Sequence, residues 1–166
     1  MRWDLIDQFE ILQKRPADDT VLSYVRATKS YKGTEDFFKE HTPAKPFVPE
    51  TLLIEMIAQA GGVLFGLGFD FKKEVILAKI AEAQFFEPVS PPCTFLVEAT
   101  LDNEREEGAW VSGTVKKKGT PVAKVTLLLA TVDGIDLGSK KQIVFNEDFL
   151  KHYDIYNVVK KSEAMS

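Results

Sequence analysis

The stretch from Phe37 to Gly62, FFKEHTPAKPFVPETLLIEMIAQAGG, decides how this chain is read. Its second half is an apolar run of helical length, entered through Pro49 and Glu50. Proline suits a first helical turn, where its missing N–H would be unpaired anyway. Glu50 suits the positive end of the helix dipole. Leu52, Leu53, Ile54, Met56, Ile57 and Ala58 point in nearly every direction, so this helix is expected to be buried on all sides. Thr51, Glu55 and Gln59, four apart, form one polar stripe along it. Gly61, Gly62, Gly66 and Gly68 weaken its far end, and Gly68 is a candidate terminator.

A glutamate in such a helix is either a core carboxyl paired with an arginine or backbone group, or a general acid whose proton desolvation helps to retain. His41, one of two histidines and placed just ahead of the helix, is equally open between a structural imidazole and a base. An imidazole and a carboxyl ahead of and within one buried helix suggest an acid and a base.

Working outward, residues 21–28, VLSYVRAT, are rich in β-formers and read as a strand. Residues 1–14 are amphipathic and fit helix or strand, and residues 15–20 have turn composition. Between strand and helix, the segment from Lys29 to Pro46 reads as polar. From about residue 75 the period changes to two, with Phe95, Val97, Ala99 and Leu101 alternating against polar neighbours. AWVSGTVKKKG and TPVAKVTLLLATV flank a short turn at Lys118–Thr120 and predict a hairpin. Long antiparallel strands after one buried helix imply an α+β fold. Beyond residue 134, Asn146 is a candidate cap for one further helix, on which Phe149, Tyr153 and Tyr156 share a face.

The length of 166 residues suits one domain with a short appendage. A net charge of −4 argues against nucleic acid as the main partner. The single cysteine, Cys93, excludes an internal disulfide framework, suits a reducing compartment and is read as packing. Asp4 and Asp7 interrupt any signal-peptide core, and the run from Met56 to Phe69 is too short and glycine-rich for a membrane span. A cytoplasmic protein is expected. His152 lacks metal-ligand spacing, and the chain carries neither a phosphate-binding glycine loop nor a serine nucleophile elbow. Lys116–Lys118, Lys72–Lys73 and Lys140–Lys141 are open between solubilising turns and docking sites for an acidic carrier protein.

The central stretch resembles the motif of the bacterial 3-hydroxyacyl-acyl carrier protein dehydratases of the glutamate-containing branch. Phe37, Phe38, His41, Pro43, Lys45, Pro46, Pro49, Glu55, Ala58, Gln59 and Ala60 stand in unbroken register with it. Weaker likeness covers LIDQFEIL and AEAQFFEPVSPPCTFLVEATL, so the resemblance runs over about residues 1–133. It implies a hotdog fold over residues 1–134, an antiparallel sheet wrapped around one long helix, followed by an extension over 135–166 with a short helix. It also implies a homodimer with shared active sites, open to further assembly. The implied reaction is dehydration of 3-hydroxyacyl chains in fatty-acid or related biosynthesis, on the phosphopantetheine of acyl carrier protein and with no cofactor or metal in the enzyme. His41 then resembles the base that removes the C2 proton, and Glu55 the acid that protonates the departing hydroxyl. The backbone amide of Glu50 would polarise the thioester, with Phe38, Pro49 and Gln59 as further substrate contacts.

Departures point to a divergent member with an altered acyl tunnel. Glu50 stands where the family has glycine, Glu40 replaces the glycine before the histidine, Thr42 the phenylalanine after it, and Pro92-Cys93 a Gly-Asp turn. A hotdog thioesterase, using a helix carboxylate to activate water, and a non-catalytic acyl-binding or scaffold subunit are the alternatives.

Overall fold

The computed structural model describes residues 5–41, 43–132 and 144–165. In chain order its elements are β1 (Gln8–Gln13), β2 (Tyr24–Tyr31), α1 (Asp36–His41), α2 (Glu50–Leu67), β3 (Glu74–Phe85), β4 (Cys93–Arg105), β5 (Gly108–Lys117), β6 (Thr120–Val132), α3 (Glu147–His152) and α4 (Ile155–Glu163). The strands form one antiparallel sheet in the order β1-β2-β4-β5-β6-β3, which leaves β1 and β3 at its edges. α2 packs across its concave face, against β2, β3, β4, β5 and β6. This is the hotdog arrangement.

The alternation expected of the late strands is present. Phe95, Val97, Ala99 and Leu101 of β4, Val111 and Val115 of β5, and Val125, Leu127 and Leu129 of β6 are buried. Lys118 and Gly119, both at positive φ, form the two-residue turn of the β5–β6 hairpin. Two glycines let helix and sheet approach closely. A methyl on Gly61 of α2 would stand 2.7 Å from Val111, and one on Gly113 of β5 would overlap Ile57.

Several expectations need correction. α2 is not enclosed all round: Leu53, Met56, Ile57, Ala60, Val63 and Leu64 are buried, whereas Leu52, Ile54, Glu55 and Gln59 are half-buried and Thr51 is exposed. The sheet covers only one side of the helix. Nevertheless, α2 is apolar and long enough to cross a bilayer, and 61% of it is buried within the protein. Pro49 is the cap residue of α2, not its first-turn residue, and Gly68 ends it in a right-handed conformation. The segment read only as polar contains α1. The single expected tail helix is two, because Tyr153 closes α3 and Asp154, in the left-handed region at φ 52°, starts α4 on a new axis. Asn146 does cap α3, its side chain accepting from the Phe149 N–H. The expected domain boundary at 134/135 lies outside the described residues.

Candidate active site

Glu55 projects from the half-covered flank of α2. The side-chain amide of Gln59, one turn on, donates to Glu55 Oε1 at 3.1 Å, and Gln59 Oε1 accepts from the backbone N–H of Leu5 at 3.2 Å. The carboxyl is thereby tied to the helix and to the chain leading into β1. It borders a cavity of about 340 Å³ between α2, the start of β3 and the C-terminal segment. Ala58, Gly62, Leu77, Leu129, Phe145 and Phe149 are among its walls. A carboxyl at the margin of a recess with both polar and apolar walls suits proton transfer to a partly apolar substrate.

His41 lies elsewhere. It is the last residue of α1, is exposed, and is not among the walls of the Glu55 cavity. The carboxylate of Glu35 receives the backbone N–H groups of Lys32 and Gly33 at 2.8 and 2.7 Å and so fixes the turn into α1. Desolvation works against the Glu35 charge, but these amides hold its carboxyl below the usual range. Phe38 is 1% exposed and stacks on Phe37 at 4.2 Å and edge-on to Tyr31 at 5.9 Å. That cluster anchors α1, at whose end His41 stands. Lys39 lies in the same last turn, where a cation suits the dipole.

Between α1 and α2, the Val48 N–H donates to Val89 O at 2.8 Å and pins the approach to Pro49. Glu50 opens α2, so its backbone N–H is one of the first-turn donors that have no acceptor within the helix. Its side chain is exposed. The structure therefore joins Glu55 to Gln59 and orders Pro49 with Glu50. It does not set His41 in the Glu55 cavity of the same chain.

Sequence reasoning missed the C-terminal wall of that cavity, Val144, Phe145 and Phe149. Its one local signal is the apolar pair Val144-Phe145 directly ahead of the capping Asn146.

An antiparallel sheet wrapped around a helix that carries a half-buried carboxyl defines a hotdog protein, within which sequence comparison is specific. The FabA-like domain family matches residues 3–126, and the chain belongs to that family. The match stops ahead of α3 and α4. The 3-hydroxyacyl-[acyl-carrier-protein] dehydratase FabZ of Erwinia tasmaniensis is 34% identical over 110 residues, covering 64% of this chain and 73% of that one. The bifunctional enzyme LpxC/FabZ of Chlorobaculum tepidum is 30% identical over 118 residues, 70% of this chain but only 24% of that fusion. Among solved structures, the dehydratase heterocomplex ApeI:P from Xenorhabdus doucetiae superposes with a TM-score of 0.60 at 16% identity, over 81% of this chain and 87% of the other.

Proposed function

We propose that the chain dehydrates 3-hydroxyacyl chains carried on acyl carrier protein to trans-2-enoyl thioesters, in fatty-acid or related acyl-chain biosynthesis, at sites shared across a homodimer. The reaction is a lyase reaction. The imidazole of His41 from one subunit takes the C2 proton. The charge that develops on the thioester oxygen is met by the Glu50 N–H at the start of α2. Glu55 from the other subunit gives its proton to the C3 hydroxyl, which leaves as water while the C2–C3 double bond forms. Proton and hydroxide depart without net redox change, so two side chains and one amide suffice. Gln59 orients Glu55, Phe38 positions α1, and Pro49 fixes the start of α2.

The observation that carries this reading is the Glu55 cavity: walled by apolar side chains together with Gln59 and Asn146, bordered by one tethered carboxyl, and without His41 among its walls. A second copy supplies the missing base. β3, at the edge of the sheet, carries Ile76, Leu77 and Ile80 at 41%, 38% and 44% exposure, which suits pairing with the same strand of a partner.

A 3-hydroxyacyl pantetheine thioester tests it. Enoyl product supports dehydration, free thiol would identify a thioesterase, and neither would indicate a binding subunit. His41→Ala and Glu55→Gln should each lower turnover about 10²- to 10⁴-fold. Mixed by unfolding and refolding together, the two variants should regain roughly a quarter of wild-type activity, because half the dimers are mixed and each has one intact site. No recovery despite demonstrated subunit mixing would place both residues in one chain's site.

A further inference from the structure

The cavity beside Glu55 has a direction. Glu55, Ala58 and Gln59, Gly62 and Gly66 succeed one another along one face of α2, and the cavity runs from Glu55 to Gly62. There it meets Phe145, which is 8% exposed. A methyl placed on Gly62 would stand 3.2 Å from this ring, and one on Gly66 would stand 3.6 Å from it. A side chain on Gly62 would press on this ring, while at Gly66 the close neighbour is Phe71, at 2.6 Å. The ring is held from several sides. It packs edge-on to Phe71 at 5.6 Å and against Phe149 at 5.1 Å. On one flank the Val144 N–H donates to Glu74 Oε2 at 2.9 Å, and on the other Asn146 caps α3. The family match ends at residue 126, so this wall is built by a part of the chain beyond the matched domain.

We infer that Phe145 is the end wall of the acyl groove and sets the longest chain the site accepts. The inference rests on the dehydratase reading for the nature of the ligand. From Glu55 to Gly62 the helix rises about 10 Å. An extended chain of carbon–carbon bonds near 1.5 Å advances roughly 1.3 Å per carbon. Seven or eight carbons beyond C3 fill that distance, so acyl chains of about ten carbons are the limit. Removing the ring opens the groove by one helical turn toward Gly66 and Phe71, about 6 Å, or roughly four further carbons.

The experiment uses the full chain and 3-hydroxyacyl pantetheines from four to sixteen carbons. It reads kcat/KM for enoyl formation and, in parallel, the Kd of the saturated acyl pantetheines by calorimetry. Each buried methylene should tighten binding about fourfold up to the limit, after which both quantities should worsen at least tenfold. In Phe145→Ala the break should move out by about four carbons, and in Phe145→Leu by fewer. A wild-type profile that continues unbroken to sixteen carbons overturns the inference without any variant, and so does a break that stays in place in a folded Phe145→Ala or Phe145→Leu protein. If wild type forms no enoyl at any length but acyl binding breaks and shifts as described, the groove stands and the dehydratase reading fails. Enoyl formation with an unbroken profile is the reverse case, and absence of both turnover and binding rejects both.

Discussion

At one edge of the sheet, β1 lies beneath the C-terminal helices. The Tyr153 hydroxyl donates to Ile6 O at 2.9 Å, the Leu12 N–H donates to Ser162 Oγ at 3.0 Å, and the Tyr153 ring meets Phe9 edge-on at 5.2 Å. At the other edge β3, twelve residues long, presents Ile76, Leu77 and Ile80 to solvent. An unpaired strand edge is a template for association unless something covers it. Among the described residues, the tail finishes one edge and Ile76, Leu77 and Ile80 stay exposed on the other, an asymmetry that suits a two-fold partner. The tail thus meets the fold in two quite different places, α4 and Tyr153 against the β1 edge and Phe145 against the Glu55 groove.

The largest effect should come from breaking the open edge. Ile80 is on β3 opposite Leu127 and does not line the Glu55 cavity. Ile80→Glu places charge on the strand without touching the proposed catalytic groups. On the shared-site reading each chain then loses the partner's His41, so turnover should fall about 10²-fold or more, in the range of a lost general base. Sedimentation should show a folded monomer, with a urea midpoint below that of the wild-type dimer because association no longer adds to stability. A folded monomer that kept full turnover would mean that each chain holds a complete site.

Closing the other edge is a matter of stability. Tyr153→Phe leaves the Ile6 carbonyl without that donor, and Ser162→Ala leaves the buried Leu12 N–H without its acceptor. An orphaned buried group costs about 1–3 kcal/mol, readable as a lowered urea midpoint. Turnover of the shortest substrates, per folded molecule, should be unchanged, and the variants should remain dimers. Wild-type midpoints in both would show that the tail does not stabilise the β1 edge.

The same contrast separates what the sequence reveals from what it conceals. Strands β4 to β6 are legible because each buries one face, so apolar residues recur every second position. The Lys118-Gly119 turn is legible because its backbone requires left-handed conformations that glycine provides. α1 is not: DFFKEH makes fewer than two turns, too few for a helical period to emerge, and it is held by Phe38 in the core. The break between α3 and α4 is set by tertiary contacts, because Tyr153 turns inward to reach Ile6 while Tyr156 stays 49% exposed. Glu55 is legible as the polar residue of an apolar helix, but its half-burial depends on which side the sheet covers. Phe145, ninety positions along the chain from Glu55, reaches the same cavity through the fold, which no local pattern encodes.

The smallest effect belongs to the middle of the sheet, away from both edges. On β4, Glu98 accepts from the Tyr24 hydroxyl at 2.6 Å and pairs with Lys116 across to β5. Desolvation pushes this carboxyl up, but the hydrogen bonds from Lys116 and Tyr24 outweigh it and hold the carboxyl below the usual range. A carboxyl depressed in the folded state stabilises the protein above the ordinary carboxylate range, and that contribution is lost as pH falls through the folded value. The pair is partly exposed, at 22% for Glu98 and 32% for Lys116, so screening limits the effect to about 1 kcal/mol or less. Urea midpoints should therefore fall between neutral pH and about pH 3, and Glu98→Gln should remove a small part of that fall. This network includes neither Ile80 nor the Ser162–Leu12 pair, and it reaches β1 only through Arg26, which also pairs with Glu10, so the same decrement should recur in the Ile80→Glu and Ser162→Ala backgrounds, as sites without direct contact add. An acid limb in Glu98→Gln identical to that of wild type would show that the Glu98 network carries no pH-dependent stability. A decrement that vanished in either background would show that the edges and the centre of the sheet are coupled.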